Sequence, residues 1–344
     1  MFVIDNYPLA VAFCIVTMLC WGSWANTQKL AGKRWRFELF YWDYVLGVLL
    51  MALIFAFTMG STGESGRSFL ADLRQADPMN LGKAVLGGVL FNAANILLVA
   101  AIAIAGMSVA FPVGIGLALV IGVVVTYRAD PVGNPYVLFT GVGLIVVAIV
   151  LAALAYRQLP RKAGGGVRGL ILAVLCGVSM GYFYPLVAGS MPAQVVVAEG
   201  APKVIQFADM PDGLLTPYTA MVFFSLGVLL SQFAYNFSLI LRWFTADEVT
   251  RPDYLRGSVG DHFWGLLGGM IWAVGMTFNI VASGEAGRSI SYGLGQGATL
   301  IAAIWGVLIW REFREADRKV NYLLGPMFAG YLIGLALVIA ARVV

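Results

Sequence analysis

The sequence predicts an all-α integral membrane protein: ten transmembrane helices in two inverted five-helix repeats, with both termini non-cytoplasmic. Three observations predict it. Of the 344 residues, 60% are apolar and 12% are charged, against about half and about a quarter in soluble domains. The charges bunch between apolar runs of roughly 20 residues, the length that crosses a bilayer's hydrocarbon core. Finally, the stretch 86–122 recurs in its pattern at 267–303. This composition excludes a water-soluble enzyme.

The apolar runs fall at 8–30, 39–60, 80–104, 107–127, 135–156, 167–190, 215–241, 261–283, 287–310 and 321–343. The first opens on Asp5 rather than a basic stretch and lacks a small-residue cleavage site, so it reads as a retained helix. The loops between runs take turns in charge. Lys29, Lys33, Arg34 and Arg36 follow span one, and Arg157, Arg161, Lys162 and Arg168 follow span five. Arg242, Arg251 and Arg256 follow span seven, and Arg311, Arg314, Arg318 and Lys319 follow span nine. Those four loops hold 15 of the 22 basic residues. The other side, termini included, holds Arg67, Arg74, Arg128, Lys203, Arg288 and Arg342, while Lys83 lies just inside span three. The positive-inside rule therefore puts both termini outside the cytoplasm of a multi-pass cell-membrane protein.

Five helices per half is an odd number, so related halves would sit inverted in the membrane. Residues 86–122 align on 267–303 without a gap, with ten of 37 positions identical. Leu86-Gly87-Gly88 matches Leu267-Gly268-Gly269, Gly106 and Ser108 match Gly287 and Ser289, and Gly114 and Gly116 match Gly295 and Gly297. Spans three and four thus correspond to spans eight and nine, dividing a single membrane domain into 1–160 and 161–344.

Catalytic constellations are absent: no carboxylate pair, HExxH, GxSxG or phosphate loop occurs in the spans. The single histidine, His262, excludes a multi-histidine zinc site. Cys14, Cys20 and Cys176 lie in apolar runs without metal-ligand spacing and read as small core residues. No cofactor, metal or nucleic-acid partner is expected, and the partners in prospect are the lipid bilayer, a small solute and a coupling cation.

Aromatics and amides in helical register are more informative. Trp21 and Trp24, Asn92 and Asn95, then Trp272, Met276 and Asn279, and finally Ser289, Tyr292 and Gln296 each share one helical face. An amide in hydrocarbon needs a partner, so these faces point toward other helices or a wet cavity. Interhelical bonding and solute contact both fit any single Asn. Their joint occurrence on repeat-related spans points to a central site near the midplane. Trp35, Trp42, Trp243, Trp264 and Trp310 lie near span ends and read as interfacial belts. The paired glycines read as close-packing positions, and Pro112 as a kink that serves packing or gating. Asp43, a few residues inside span two, is a candidate for proton or cation coupling. Its alternative is a near-interface acid paired with Arg34, Arg36 or a backbone donor. Glu285 and Arg288 flank the turn between spans eight and nine and read as a surface pair.

The residues also resemble a known family. Asp43-Tyr44 is followed by Ala56-Phe57-Thr58-Met59-Gly60, Gly87-Gly88-Val89-Leu90 with Asn95, and Gly106-Met107-Ser108-Val109. Val120-Ile121-Gly122 with Tyr127 comes next, then Trp305-Gly306-Val307-Leu308 and the charged loop from Glu312 to Lys319 before Tyr322-Leu323-Leu324. In this order the set resembles the ureide permeases of the drug/metabolite transporter superfamily, relatives of the glucose/ribose porters and rhamnose–proton symporters. The resemblance implies ten helices in two inverted halves and cation-coupled, usually proton-coupled, uptake of allantoin, uracil and related ureides. It also implies that helices one, three, four, six, eight and nine line the path. Two features depart from the plant members: Gly22-Ser23-Trp24-Ala25-Asn26 stands where they carry Gly-Thr-Trp-Pro-Ala, and the loop after span five is short.

The expected function is proton-coupled uptake of a cyclic ureide or nucleobase by a monomer or homodimer. Proton-coupled sugar transport and small-metabolite export are the alternatives, and a non-transporting receptor is the rival from another class. The expected substrate-binding set is Trp21, Trp24, Asn26, Asn92, Asn95, Tyr182, Trp272, Asn279, Tyr292 and Gln296, with Asp43 for coupling and Pro112 as gate.

Overall fold

The computed structural model describes residues 1–32, 35–63, 65–159, 167–192, 210–235, 251–314, 316 and 320–344. Lys33, Arg34, Arg161, Lys162, Lys203, Arg242, Trp243, Arg318 and Lys319 lie outside the described residues, as does the end of the seventh expected span at 236–241. Among the described residues ten helices are long and apolar enough to cross a membrane. They are α1 (Tyr7–Ala31), α2 (Phe37–Phe57), α3 (Pro78–Ile102), α4 (Phe111–Ala129) and α5 (Pro135–Arg157). The second half comprises α6 (Val167–Ala188), α7 (Pro217–Ala234), α8 (Val259–Ala286), α9 (Arg288–Ile309) and α10 (Asn321–Ala340).

The helix starts follow from local chemistry. Asn6, Asp77, Asn134 and Thr216 cap α1, α3, α5 and α7, each with a proline in the first turn. Their side-chain oxygens accept first-turn N–H groups, and proline there sacrifices no hydrogen bond. Ser258 and Asp261 close a reciprocal capping box at the start of α8. One face gathers both termini: the Met1 ammonium donates to Ser65 O at 2.5 Å, Tyr7 Oη to Ile339 O at 2.7 Å, and Asn134 N to Ala341 O at 2.7 Å.

The α3–α4 and α8–α9 connections share one turn. Gly106 has φ +79° and Gly287 φ +87°, values that L side chains adopt only with strain. The N–H of Gly106 donates to Ile102 O at 2.9 Å, and that of Gly287 to Ser283 O at 3.1 Å. Ile102 and Ser283 are matched positions of the repeat alignment, as the two glycines are.

Packing repeats the same relation. α3 lies on α6 and α7, α8 lies on α1 and α2, and α5 and α10 pair with each other. At α2–α8 a Cβ on Gly47 would fall 2.1 Å from Leu266 O, and one on Gly269 would fall 1.9 Å from Tyr44 O. At α7–α3 a Cβ on Gly227 would fall 2.1 Å from Val85 O, and one on Gly88 would fall 2.0 Å from Phe224 O. Backbones therefore touch at four glycines, the close approach that small residues permit in lipid. Gly87 and Gly297 are similarly crowded, but Gly116 meets nothing within 4 Å, so packing does not require glycine there. Pro112 sits in a π-helical turn, Phe111–Ile115, within the fourth helix, a wide turn that accommodates an interrupted hydrogen-bond ladder.

Candidate functional site

Rings fill the centre of the bundle. Trp272, midway along α8 and 4% exposed, meets Phe91 of α3 at 4.3 Å between centroids and Phe224 of α7 at 5.7 Å. Tyr44 of α2 lies 6.5 Å from it. Phe91 and Trp272 are matched positions of the repeat alignment. Tyr44 and Phe224 are matched by their contacts, since their carbonyls meet the equivalent glycines Gly269 and Gly88. The core is thus made of matched ring pairs. Trp21 of α1 stacks on Trp272 at 5.8 Å and 10°, and Trp24 sits on Tyr44 at 4.6 Å. Such pairs contribute about 0.5–1.5 kcal/mol each beyond area burial.

Two glycines make the slot for Trp21. A Cβ on Gly275 would lie 2.7 Å from Trp21 Cδ1, and one on Gly295 would lie 2.8 Å from Trp21 Cζ3 and 2.9 Å from Asn279 Nδ2. The indole is thus held between α8 and α9, with the Asn279 amide at the same glycine.

The amides are half-satisfied. Asn279 Nδ2 donates to Ser291 O at 2.7 Å, while its Oδ1 has no partner. Asn92 Nδ2 donates across to α7, to Ser231 Oγ at 2.9 Å and Val228 O at 3.1 Å, while its Oδ1 has none. Asn95 lies against the Tyr41 hydroxyl, and its Nδ2 is unpartnered, as is Trp21 Nε1. A buried polar group without a partner costs about 1–3 kcal/mol. Asn92 thereby shows interhelical bonding on its donor side and an open acceptor on the other. Tyr292 is fully buried, its hydroxyl at 3.2 Å from Ala118 O and 3.3 Å from Met180 O, its ring 4.8 Å from Tyr184. Gln296 is buried on the same helix.

Asp43 occupies a second polar centre, toward the face opposite the termini. Its Oδ1 accepts from Tyr254 Oη at 2.5 Å and lies 2.9 Å from His262 Nδ1, while Oδ2 accepts from Trp35 Nε1 at 3.3 Å. Burial, and then the adjacent Asp43 carboxylate, push the Tyr254 phenol well up, which keeps it a donor. The expected partner Arg36 pairs instead with Glu38 at 3.1 Å, and Arg34 lies outside the described residues. Trp35 is 4% exposed and bound to Asp43, so it is no interfacial belt residue.

The sequence model of the ureide permease family matches residues 40–164 and 164–341. The chain belongs to the ureide permease family. Ureide permease 4 of Arabidopsis thaliana is 23% identical over 398 residues, covering 99% of both chains. Probable ureide permease A3 of Vigna unguiculata is 23% identical over 370 residues, covering 90% of this chain and 97% of its own. A solved crystal structure superposes over 97% of each chain with a TM-score of 0.59 at 16% identity, a likeness of fold. Membership of a permease family indicates a transporter rather than an enzyme.

The permease places some expected residues away from the ring stack. Tyr182 is 45% exposed, on the outward stripe with Ile171, Val174, Leu175 and Val178. Phe183 and Tyr184 of α6 are buried in its stead; two residues turn a helix by about 200° and so change its face. Asn26 accepts from Trp310 Nε1 at 2.7 Å, beyond the stack. There Lys29 pairs with Glu312 at 2.9 Å, and Tyr156 Oη donates to Glu312 at 3.0 Å, beside a cavity of about 230 Å³. Arg288 is not a surface residue: 8% exposed, it donates to Met191 O at 2.7 Å and faces Asp130 at 4.0 Å. Glu285 is not its partner; Arg342 Nε donates to the Glu285 carbonyl at 3.4 Å. Sequence reasoning missed Phe91, although the repeat alignment pairs it with Trp272. It also missed His262 as the neighbour of Asp43, since 219 residues separate them.

Proposed function

We propose that the chain is a secondary active transporter that takes up small cyclic ureides or nucleobases, such as allantoin or uracil, together with a proton. The observation that carries this reading is the set of unpartnered atoms around the rings, Trp21 Nε1, Asn95 Nδ2 and Asn279 Oδ1, in a chain matched end to end by ureide permeases. A ureide is flat and bears N–H donors and C=O acceptors on its edge, so it suits ring stacking combined with amide pairing. Trp21, Trp24, Trp272 and Tyr292 would line its faces; Asn92, Asn95, Asn279 and Gln296 would meet its edge. Pro112 and its wide turn would flex as the path opens, and Asp43 would anchor the coupling proton.

The architecture proposed with it is two inverted five-helix halves, as in the drug/metabolite transporters. The repeated Gly106 and Gly287 turns and the matched glycine contacts support it, as does the odd helix count per half. The basic loops support a cell-membrane protein with both termini outside the cytoplasm.

Uptake into proteoliposomes tests the function. Labelled allantoin or uracil accumulates when the lumen is alkaline, and a protonophore abolishes the accumulation. Uptake of glucose or rhamnose with neither ureide transported would replace the ureide reading with the sugar one.

A further inference from the structure

We infer that Asp43, His262 and Tyr254 together form the coupling-proton site, loaded through His262 from the face opposite the termini. The inference rests on the transporter reading above and deepens it. Asp43 is buried, while the His262 side chain is 32% exposed. The imidazole, in the first turn of α8, therefore joins a buried carboxylate to the protein surface. One carboxylate and one imidazole are too few oxygen ligands for a metal cation, but they suit a proton.

The site breaks an otherwise matched pattern. The α2–α8 and α7–α3 interfaces share their glycine contacts. At the positions corresponding to Asp43 and His262, the second interface carries Phe223 and Leu81. An interface with the same glycine contacts thus forms at α7–α3 without such a cluster. Buried charge that packing does not require is held in a membrane for a functional reason.

The charge balance gives the coupling. With neutral imidazole the pair carries −1. A proton arriving from water binds the imidazole, whose Nδ1–H faces Asp43 Oδ1, and the pair becomes neutral overall. Release to water restores −1. Sequestering the unloaded pair in a low-dielectric interior costs more than sequestering the loaded pair. Closure is thereby tied to protonation. α8 transmits the change: a Cβ on Gly265 would lie 2.5 Å from Asp43 Cβ, and Trp272 follows His262 on the same helix. Among the described residues, the titratable groups facing Asp43 are His262 from α8 and Tyr254 from the short helix Arg251–Leu255. Arg36 and Glu38 pair with each other, and Asp261 caps the start of α8.

The chain has one histidine, so a tag-free, full-length protein with ring-labelled histidine gives NMR signals from His262 alone. The ring nitrogen signals are expected to move in Asp43→Asn, which removes the carboxylate facing Nδ1, and to move less in Tyr254→Phe, which removes the phenol on the same oxygen. Tyr254→Phe deletes a single oxygen and keeps the test alive if Asp43→Asn does not fold. Ring signals unchanged from wild type in both variants overturn the proton site, whatever solute is carried. In pyranine-loaded proteoliposomes, allantoin- or uracil-driven proton entry falls at least tenfold in Asp43→Asn and His262→Gln; retained entry also overturns it. Ring signals that respond to both variants, with no ureide-driven flux in wild type, remove the ureide reading and leave the proton site standing.

Discussion

Gly295→Ala tests whether the Trp21 slot is the working part of the site. The added methyl would stand 2.8 Å from Trp21 Cζ3 and 2.9 Å from Asn279 Nδ2. Both distances fall well inside the 3.4 Å at which ordinary van der Waals contact begins. Neither neighbour has an easy escape. Trp21 is already against Gly275 and stacked on Trp272, and Asn279 holds Ser291 O at 2.7 Å. Overpacking of this kind costs about 1–3 kcal/mol. Expressed in binding, that is a loss of about 5- to 150-fold. Gly116→Ala is the control, because nothing lies within 4 Å of its added methyl. Ligand-induced thermal shift and uptake in proteoliposomes read both variants. If Gly295→Ala binds and transports within twofold of Gly116→Ala and melts at the same temperature, the Trp21 slot is not what recognises solute.

Three further outcomes are expected. Trp272→Ala removes a ring that meets Phe91, Phe224, Trp21 and Tyr44; it should destabilise the fold by about 3–5 kcal/mol and abolish uptake, and an unchanged melting temperature would remove it from the core. Arg288→Ala leaves the buried Asp130 carboxylate facing a lost cation, which costs about 3–5 kcal/mol when a buried pair is broken; denaturant unfolding no earlier than that of the exposed Arg128→Ala would show the pair to be unimportant. Asn279→Ala should cut uptake at least tenfold while Tyr182→Ala, on the outward face, stays within twofold; equal effects would contradict the assigned faces.

Much of the fold was readable because lipid simplifies the problem. A spanning helix must satisfy its own backbone, so apolar length alone locates it. The matches of Gly106 with Gly287 and Gly88 with Gly269 were visible as spacing and reappear as turns and touching backbones. Around the ring stack, Trp21, Trp24, Trp272 and Asn279 sit on the inward faces that register predicts, since one inward face follows from a period of 3.6 residues. Register does not say which of two faces is inward when both are apolar. Thus Tyr182 faces outward while Phe183 and Tyr184 point in, and Asn26 bonds Trp310 beyond the stack.

The sequence by itself determined the apolar composition, the ten membrane-length helices, the tight glycine turns and the ring and amide side chains available to the bundle core. These follow from composition and local spacing, which act within a few turns of chain. Only the tertiary structure decided partnership. It joined Asp43 to His262 across 219 residues, buried Arg288 beside Asp130 instead of Glu285, and closed Phe91 onto Trp272. Such pairs depend on which helices lie side by side, and adjacency is set by packing of whole helix faces rather than by any local run of residues.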